Sequence, residues 1–489
     1  MRFPFGTKIT AVGAGRLLAA LGVMLAGSGC GDTYRPIAIP IQPTPPPPAA
    51  LHYVVSLSTN GMCPAQFGEP CGQGASTRID VSGDTNVAAA KVGLNPVHAV
   101  IAPNGSSVYV ANQMEDSVSF YSPSTAGPVS LVSLPAGAAP VFVSATDNTS
   151  VYVANSGNNT VSQISTSSEA VVRTISVGQT PVALAELPNA QKVYVVNRGT
   201  GASPVNGSVQ AINQVDGSLV AIANATWNSP VWAVARGDNA RVFALDQGTG
   251  VVSAIDTLSD AVVGTANVQP GANFIAYDSN LSRLYVTNPL ARSMTVLNAS
   301  SDALPVLGSI SFTYSAASGA ACQNPNGCIP LSVAALPDGS RVYVASYEIS
   351  PACTEAADAS ASGCITSQVT VLKASNLTVT KSIPLTLPDT VPNPPTTKPD
   401  TQVVSKCDAA RFRLFTAAAA DSTRVYVSYC DAGATAVIRT TPDTSPGSEN
   451  GGDYLVNNLD APSGLCSSGT CTAGQQPPLQ TPVFVLRGP

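Results

Sequence analysis

Eleven cysteines, two histidines and a thin scatter of charge are the groups in this 489-residue chain that could do chemistry. A histidine acting as general base needs a partner carboxylate within hydrogen-bond reach. Sequence cannot place such an acid, and a histidine inside a blade pattern is more often a packed core or channel residue, so His98 reads first that way. Arg236, Arg411 and Arg413 are the cations that a binding site could use, with surface solvation as the plainer reading. Two histidines and no CxxC leave a zinc centre without its usual donors, and no CxxCH exists for haem. Asp116, Asp216, Asp238 and Asp260 do not fall at calcium-loop spacing. No strand–GxSxG–helix, P-loop or dinucleotide fingerprint occurs in its proper context. The expectation is therefore no catalytic residue, no metal and no cofactor.

The cysteines suit structural work. Setting Cys30 aside leaves an even set that falls into local pairs: Cys63-Cys71, Cys322-Cys328, Cys353-Cys364 and Cys466-Cys471. Cys407-Cys430 are farther apart and flank one predicted hairpin. Even parity and close pairing predict disulfides in an oxidising compartment.

The first thirty residues point to the same compartment. Arg2, Lys8 and Arg16 accompany an apolar run, Leu17 to Ala26, followed by Gly27-Ser28-Gly29-Cys30. Such an order is that of a secretory signal, and the run is short for a bilayer span. It resembles a bacterial lipoprotein signal, although Gly27 stands where that pattern usually has Leu. The resemblance implies removal of residues 1–29 and lipidation of Cys30; an ordinary signal with a spare thiol at Cys30 is the alternative. Residues 30–50 carry Pro36, Pro40, Pro43 and Pro45 to Pro48 and read as a stiff extended spacer. Net charge is −6, and losing the three signal cations makes it about −9. An acidic chain without a basic run is a poor partner for nucleic acid, whose phosphates need clustered Lys and Arg.

A recurring strand must position whatever chemistry there is. Val108-Tyr109-Val110-Ala111-Asn112 returns at Val151–Asn155, Val193–Asn197, Val242–Asp246 and Leu284–Asn288, at spacings of 43, 42, 49 and 42 residues. Looser copies stand at Val342–Ser346 and Val425–Tyr429. Each copy follows a Pro-led apolar run and a turn such as Pro103-Asn104-Gly105. Two more strand patterns follow it, as in Thr160–Ile164 and Val171–Gly178. Four short strands per period in the low forties make a propeller blade. The copy at Leu284–Asn288 reads LYVTN, and the set resembles the YVTN β-propeller repeats of surface-layer and lactonase-like proteins.

The expectation is an all-β fold, a single β-propeller over residues 51–489. Eight blades are favoured and seven are the alternative. His52–Ser56 look like a second strand without a first, and Pro482–Leu486 like a first strand alone. The C-terminal strand should therefore join the N-terminal blade and close the ring. Insertions are expected at 314–330, 347–367, 388–410 and 441–480.

Aligned first strands put His98, Phe142, Ala183, Trp232, Phe274, Ser332 and Phe484 at one position. They would form a binding funnel, with Arg236 and Arg413 near its mouth, or else wedges between blades. The recurring Asn112, Asn155, Asn197 and Asn288 read as turn-holding residues rather than a ligand ring. The leading functional expectation is a lipid-anchored, monomeric scaffold of the cell envelope that binds an envelope protein or glycan. It would sit on a periplasmic or outer-surface face, with the lipid as its only membrane contact. The resemblance also implies a sugar-lactone hydrolase as an alternative, and a periplasmic redox accessory role as a third.

Overall fold

The computed structural model describes residues 52–59, 73–187, 189, 191–201, 206–349, 365–385, 413–442, 451–462 and 480–488. Cys30, the 30–50 spacer, Arg411 and most cysteines lie outside them. The described residues form 32 strands, β1 to β32 in chain order, in eight four-stranded antiparallel sheets. Eight blades, not seven, make the propeller.

The VYVAN segments explain the sheets. β-branched and aromatic residues fit a pleated surface, and a run apolar on both faces must be covered on both. Each is the second strand of its blade, as in β5 (Val108–Asn112) and β9 (Ser150–Asn155), buried nearly throughout. Outer strands alternate instead, as in β11 (Ala170–Ser176), where one face meets water.

The first blade is built from both chain ends. β32 (Thr481–Arg487) pairs antiparallel with β1 (Tyr53–Thr59), outside which lie β2 (Gln73–Asp80) and β3 (Thr85–Leu94). The last strand thus supplies the innermost strand of the first blade and closes the ring. The remaining inner strands, blades two to eight, are β4 (Pro96–Ile101), β8 (Pro140–Ser144), β12 (Pro181–Leu187), β16 (Pro230–Ala235), β20 (Phe274–Asp278), β24 (Cys328–Ala335) and β28 (Leu414–Ala418). Pro opens most of them, and the register shifts just after it, for example between Pro96 and His98 and between Pro140 and Phe142. Proline has no N–H for the ladder, so a strand start with a bulge is where it fits.

Antiparallel blades give the ring two unlike rims. Second strands end in Asn at one, here the Asn rim. The turns between first and second and between third and fourth strands lie at the other, the latch rim. There a cation opening one blade's second strand grips the outer turn of the next. Lys192 reaches Asp260 at 2.7 Å, Arg241 reaches Asp302 at 2.7 Å, and Arg341 reaches Asp453 at 2.5 Å. Arg283 reaches the Ala374 carbonyl in the same way. At the closing seam Arg424 of blade eight holds Asp84 of blade one with Nε and Nη2, at 2.7 and 2.9 Å, both residues buried.

Three insertion boundaries differ from expectation, the first because β24 already begins at Cys328, inside 314–330. β25 (Arg341–Ile349) and β26 (Ile365–Lys373) pair along their whole length, so the blade-seven hairpin extends well into the predicted 347–367 insertion. β31 (Tyr454–Asp460) lies within 441–480 and is the outer strand of blade eight. Its sparse apolar pattern, YLVNNLD, hid it.

Replacing Arg424 with Met should leave a buried carboxylate unpaired and cost about 3–5 kcal/mol. Urea denaturation of the mature chain checks this. An Arg236→Met change, at a pair whose Asp238 is exposed, should stay within about 1 kcal/mol.

Candidate functional site

The inner strands aim one residue each toward the axis, opposite the fourth residue of the neighbouring VYVAN strand. His98 faces Ala111, Phe142 faces Ala154, Ala183 faces Val196 and Trp232 faces Leu245. Phe274 faces Thr287, Ser332 faces Ala345, Phe415 faces Ser428 and Phe484 faces Leu57. Equal register around a closed ring brings these eight positions to one level.

Six aromatic rings there form a closed circuit. His98 stacks on Phe142 at 3.9 Å, with 24° between planes, and touches Phe484 at 4.4 Å. Phe142 meets Trp232 at 5.6 Å and Trp232 meets Phe274 at 5.0 Å. Phe274 meets Phe415 at 5.4 Å, and Phe415 meets Phe484 at 4.3 Å. All six are buried.

The two small residues make the circuit possible. Phe142 and Trp232 meet across the seat of Ala183, and Phe274 and Phe415 across that of Ser332. Both contacts are nearly edge-on, at 80° and 82°. Edge-to-face geometry suits the aromatic quadrupole. Ser332 instead donates to the Leu414 carbonyl at 3.0 Å.

His98 belongs to this packing. The Val143 N–H donates to its Nδ1 at 3.4 Å, and its ring is stacked on Phe142 and tilted against Phe484. The two candidate arginines lie elsewhere. Arg236 follows the end of β16, where Nε bonds Asp238 at 2.9 Å and Nη1 bonds the Ala299 carbonyl at 3.1 Å. Arg413 precedes β28 at the Asn rim, its guanidinium 5.3 Å from the Tyr347 ring centre.

Phe415 is the member of the circuit that sequence reasoning missed. Its strand, like β20, lacks the opening Pro that aligns most of the others. Counting back from the Val425–Tyr429 copy would have found it, because the register to Ser428 matches the rest.

The recurring Asn is structural: Asn288 Oδ1 accepts the Ala291 N–H of the following turn at 2.8 Å, the bond expected, while the others bond the third strand. Asn112 Nδ2 donates to Ser117 and Ser119, and Asn155 Nδ2 to Thr160 and Ser162, all on the third strand. Asn288 caps the carbonyls of Val268, Gln269 and Pro270.

A disulfide joins Cys322 and Cys328 at the base of the blade-seven entry loop. With Glu348 these sulfurs form a cluster of donor atoms within 4.8 Å. The disulfide bond occupies the sulfurs that a metal would need as thiolates. Cys430 is also disulfide-bonded; its expected partner Cys407 lies outside the described residues, as do the other pairs.

No family model and no curated protein matches the chain. Solved structures of propeller form do. A protein described as a 6-phosphogluconolactonase from Bacteroides uniformis is 13% identical, covers 89% of this chain and 99% of its own, and has a TM-score of 0.47. Another so described, from Bacteroides fragilis, is 12% identical over 91% and 100%, with a TM-score of 0.48. Hydrazine synthase of Kuenenia stuttgartiensis is 17% identical over 75% and 86%, with a TM-score of 0.44.

Truncating Phe415 to Ala should cost about 3–5 kcal/mol, as for a buried aromatic. Phe415→Leu should recover more than half of it, and Ala183→Phe should destabilise by overpacking. Denaturant titration of the three variants checks the order.

Proposed function

We propose that the chain is a lipid-anchored binding scaffold of the cell envelope that recognises an envelope protein or glycan with its Asn rim. One observation carries this. The axis, where a propeller would hold a small substrate, is filled by packed aromatics, while most long connections gather at one rim, 440–453 between β30 and β31 being the one at the latch rim. The segments 60–72, 202–205, 350–364, 386–412 and 463–479 all join strands at the Asn rim, as does the disulfide-bonded loop 312–327. Propellers vary recognition through loops on a rigid frame. The extended β25–β26 hairpin, with Arg413 over Tyr347, and exposed Tyr314, Met114 and Leu290 stand at this rim. Aromatic and Arg side chains are favoured anchors of interfaces.

A hydrolase reading needs polar groups facing a substrate. At the level of the circuit His98 and Ser332 are the polar members, and both are engaged in packing and hydrogen bonds. The lipid on Cys30 and the proline-rich spacer would hold the body clear of the membrane, on the periplasmic or the outer-surface face.

The test is cross-linking capture from intact cells with the full chain on its own anchor. One dominant envelope protein or glycan should appear. A combined Tyr314→Ala and Leu290→Ala variant should weaken its capture at least about tenfold, the loss expected for an interface anchor. Leu258→Ala, at the latch rim, should leave it unchanged. Capture of nothing, or equal loss at both rims, would overturn the proposal.

A further inference from the structure

Four blade seams close at the latch rim with a cation against an aspartate. The seam between blades three and four does not. The seat filled by Asp84, Asp260 and Asp453, a left-handed turn position, is Gly217 here, with φ of 75°. A side chain at Gly217 would collide with Arg173, its Cβ only 2.6 Å from Arg173 Cδ. Arg173 is taken up by backbone and amide: the Gln214 carbonyl at 3.3 Å, the Val215 carbonyl at 2.9 Å and Gln163 Oε1 at 3.4 Å.

A carboxyl from the inner strand replaces the latch. Glu186, on β12, is 4% exposed. Its Oε2 accepts the Ser144 hydroxyl at 3.0 Å and the Thr146 N–H at 3.2 Å, both from blade three. Its Oε1 accepts the Gln214 amide at 3.4 Å. No lysine or arginine pairs with it among the described residues. The titratable and charged neighbours are Asp147 in the turn after β8, Tyr152 on β9 and Arg173 on β11. The Tyr152 hydroxyl, fully buried, has no hydrogen-bond partner. At the next seam the same hydroxyl, that of Tyr194, bonds Asp260 at 2.6 Å.

We infer that Glu186 makes the seam between blades three and four a proton-operated joint, tight when the carboxyl is protonated and loosened when it ionises. A buried carboxylate with hydrogen bonds but no counter-charge carries an uncompensated desolvation cost. Uptake of one proton removes that charge. Burial pushes the carboxyl up to about 7, and Asp147 adds to the rise, against the bonds from Ser144 and Thr146. The folded value lies above the ordinary 4.5, so the folded seam binds more protons. Its extra stability is complete below the ordinary value and is lost as pH rises through about 7. At the Arg241–Asp302 latch the bond from Arg241 holds the Asp302 carboxyl below its usual range, so acid weakens that pair instead. This joint therefore responds to pH in the opposite sense.

Hydrogen exchange of the mature chain between pH 5 and 8, corrected for intrinsic rates, tests the joint. The opening constant of β8, β9 and β12 should rise roughly 50-fold across that range. The seam of Arg241 and Asp302 should show no such rise. Glu186→Gln should flatten the profile at β12, and taking the difference from wild type cancels any contribution from His98. Ser144→Ala, which removes a donor to the ionised form, should move the midpoint upward. A flat wild-type profile, an equal rise in the Gln variant, or an unmoved midpoint in the Ser144 variant would overturn the inference.

Discussion

An eight-bladed ring encloses an axial gap that side chains must fill, and every other feature of this protein depends on how that is done. Interiors are close-packed, and an unfilled axis would forfeit dispersion contacts on every inner strand. Eight large side chains at one level would crowd each other. Six aromatic rings with Ala183 and Ser332 between them close the circuit instead. Because each blade contributes one residue to this level, the circuit also couples all eight blades. Phe484 comes from the last strand of the chain, so the plug is complete only when the ring is closed.

Closure is then locked from the periphery. The latches tie a second strand to the neighbour's outer turn, where a partly buried carboxylate meets its cation. Charges at such depth are tolerated only in pairs. The same rule makes the exception informative. Where Gly217 removes the aspartate, Arg173 turns to carbonyls and Glu186 is left without a counter-charge. The seam between blades three and four thus carries a buried carboxyl in place of an ion pair, while the axial packing runs through it unbroken.

Rigid axis and locked latch rim leave the Asn rim as the variable face. There the Asn side chains hold third strands in place and so brace the positions from which the long connections depart. Recognition built on such a frame needs no catalytic set, and the polar groups of the circuit are committed to packing. The extended blade-seven hairpin and the disulfide-bonded loop before it both lie at that rim.

Much of this was legible locally. A strand motif repeating near 42 residues, with Pro before it and turn residues after, dictates blade and ring because strand period and turn chemistry are short-range properties. The unpaired strand patterns at the two ends likewise determined the closure, since an open sheet edge needs a partner. Seven of the eight axial positions could be aligned from the same pattern. What only the tertiary structure decided were contacts between distant segments. Phe415 joined the circuit through register alone, and Arg236 and Arg413 turned to Asp238 and Tyr347 rather than the axis. Glu186 acquired its character from Ser144, Thr146 and Gln214 on two blades. Each outcome depends on which groups meet across a seam, and a buried charge or ring takes its energy from those neighbours rather than from its place in the chain.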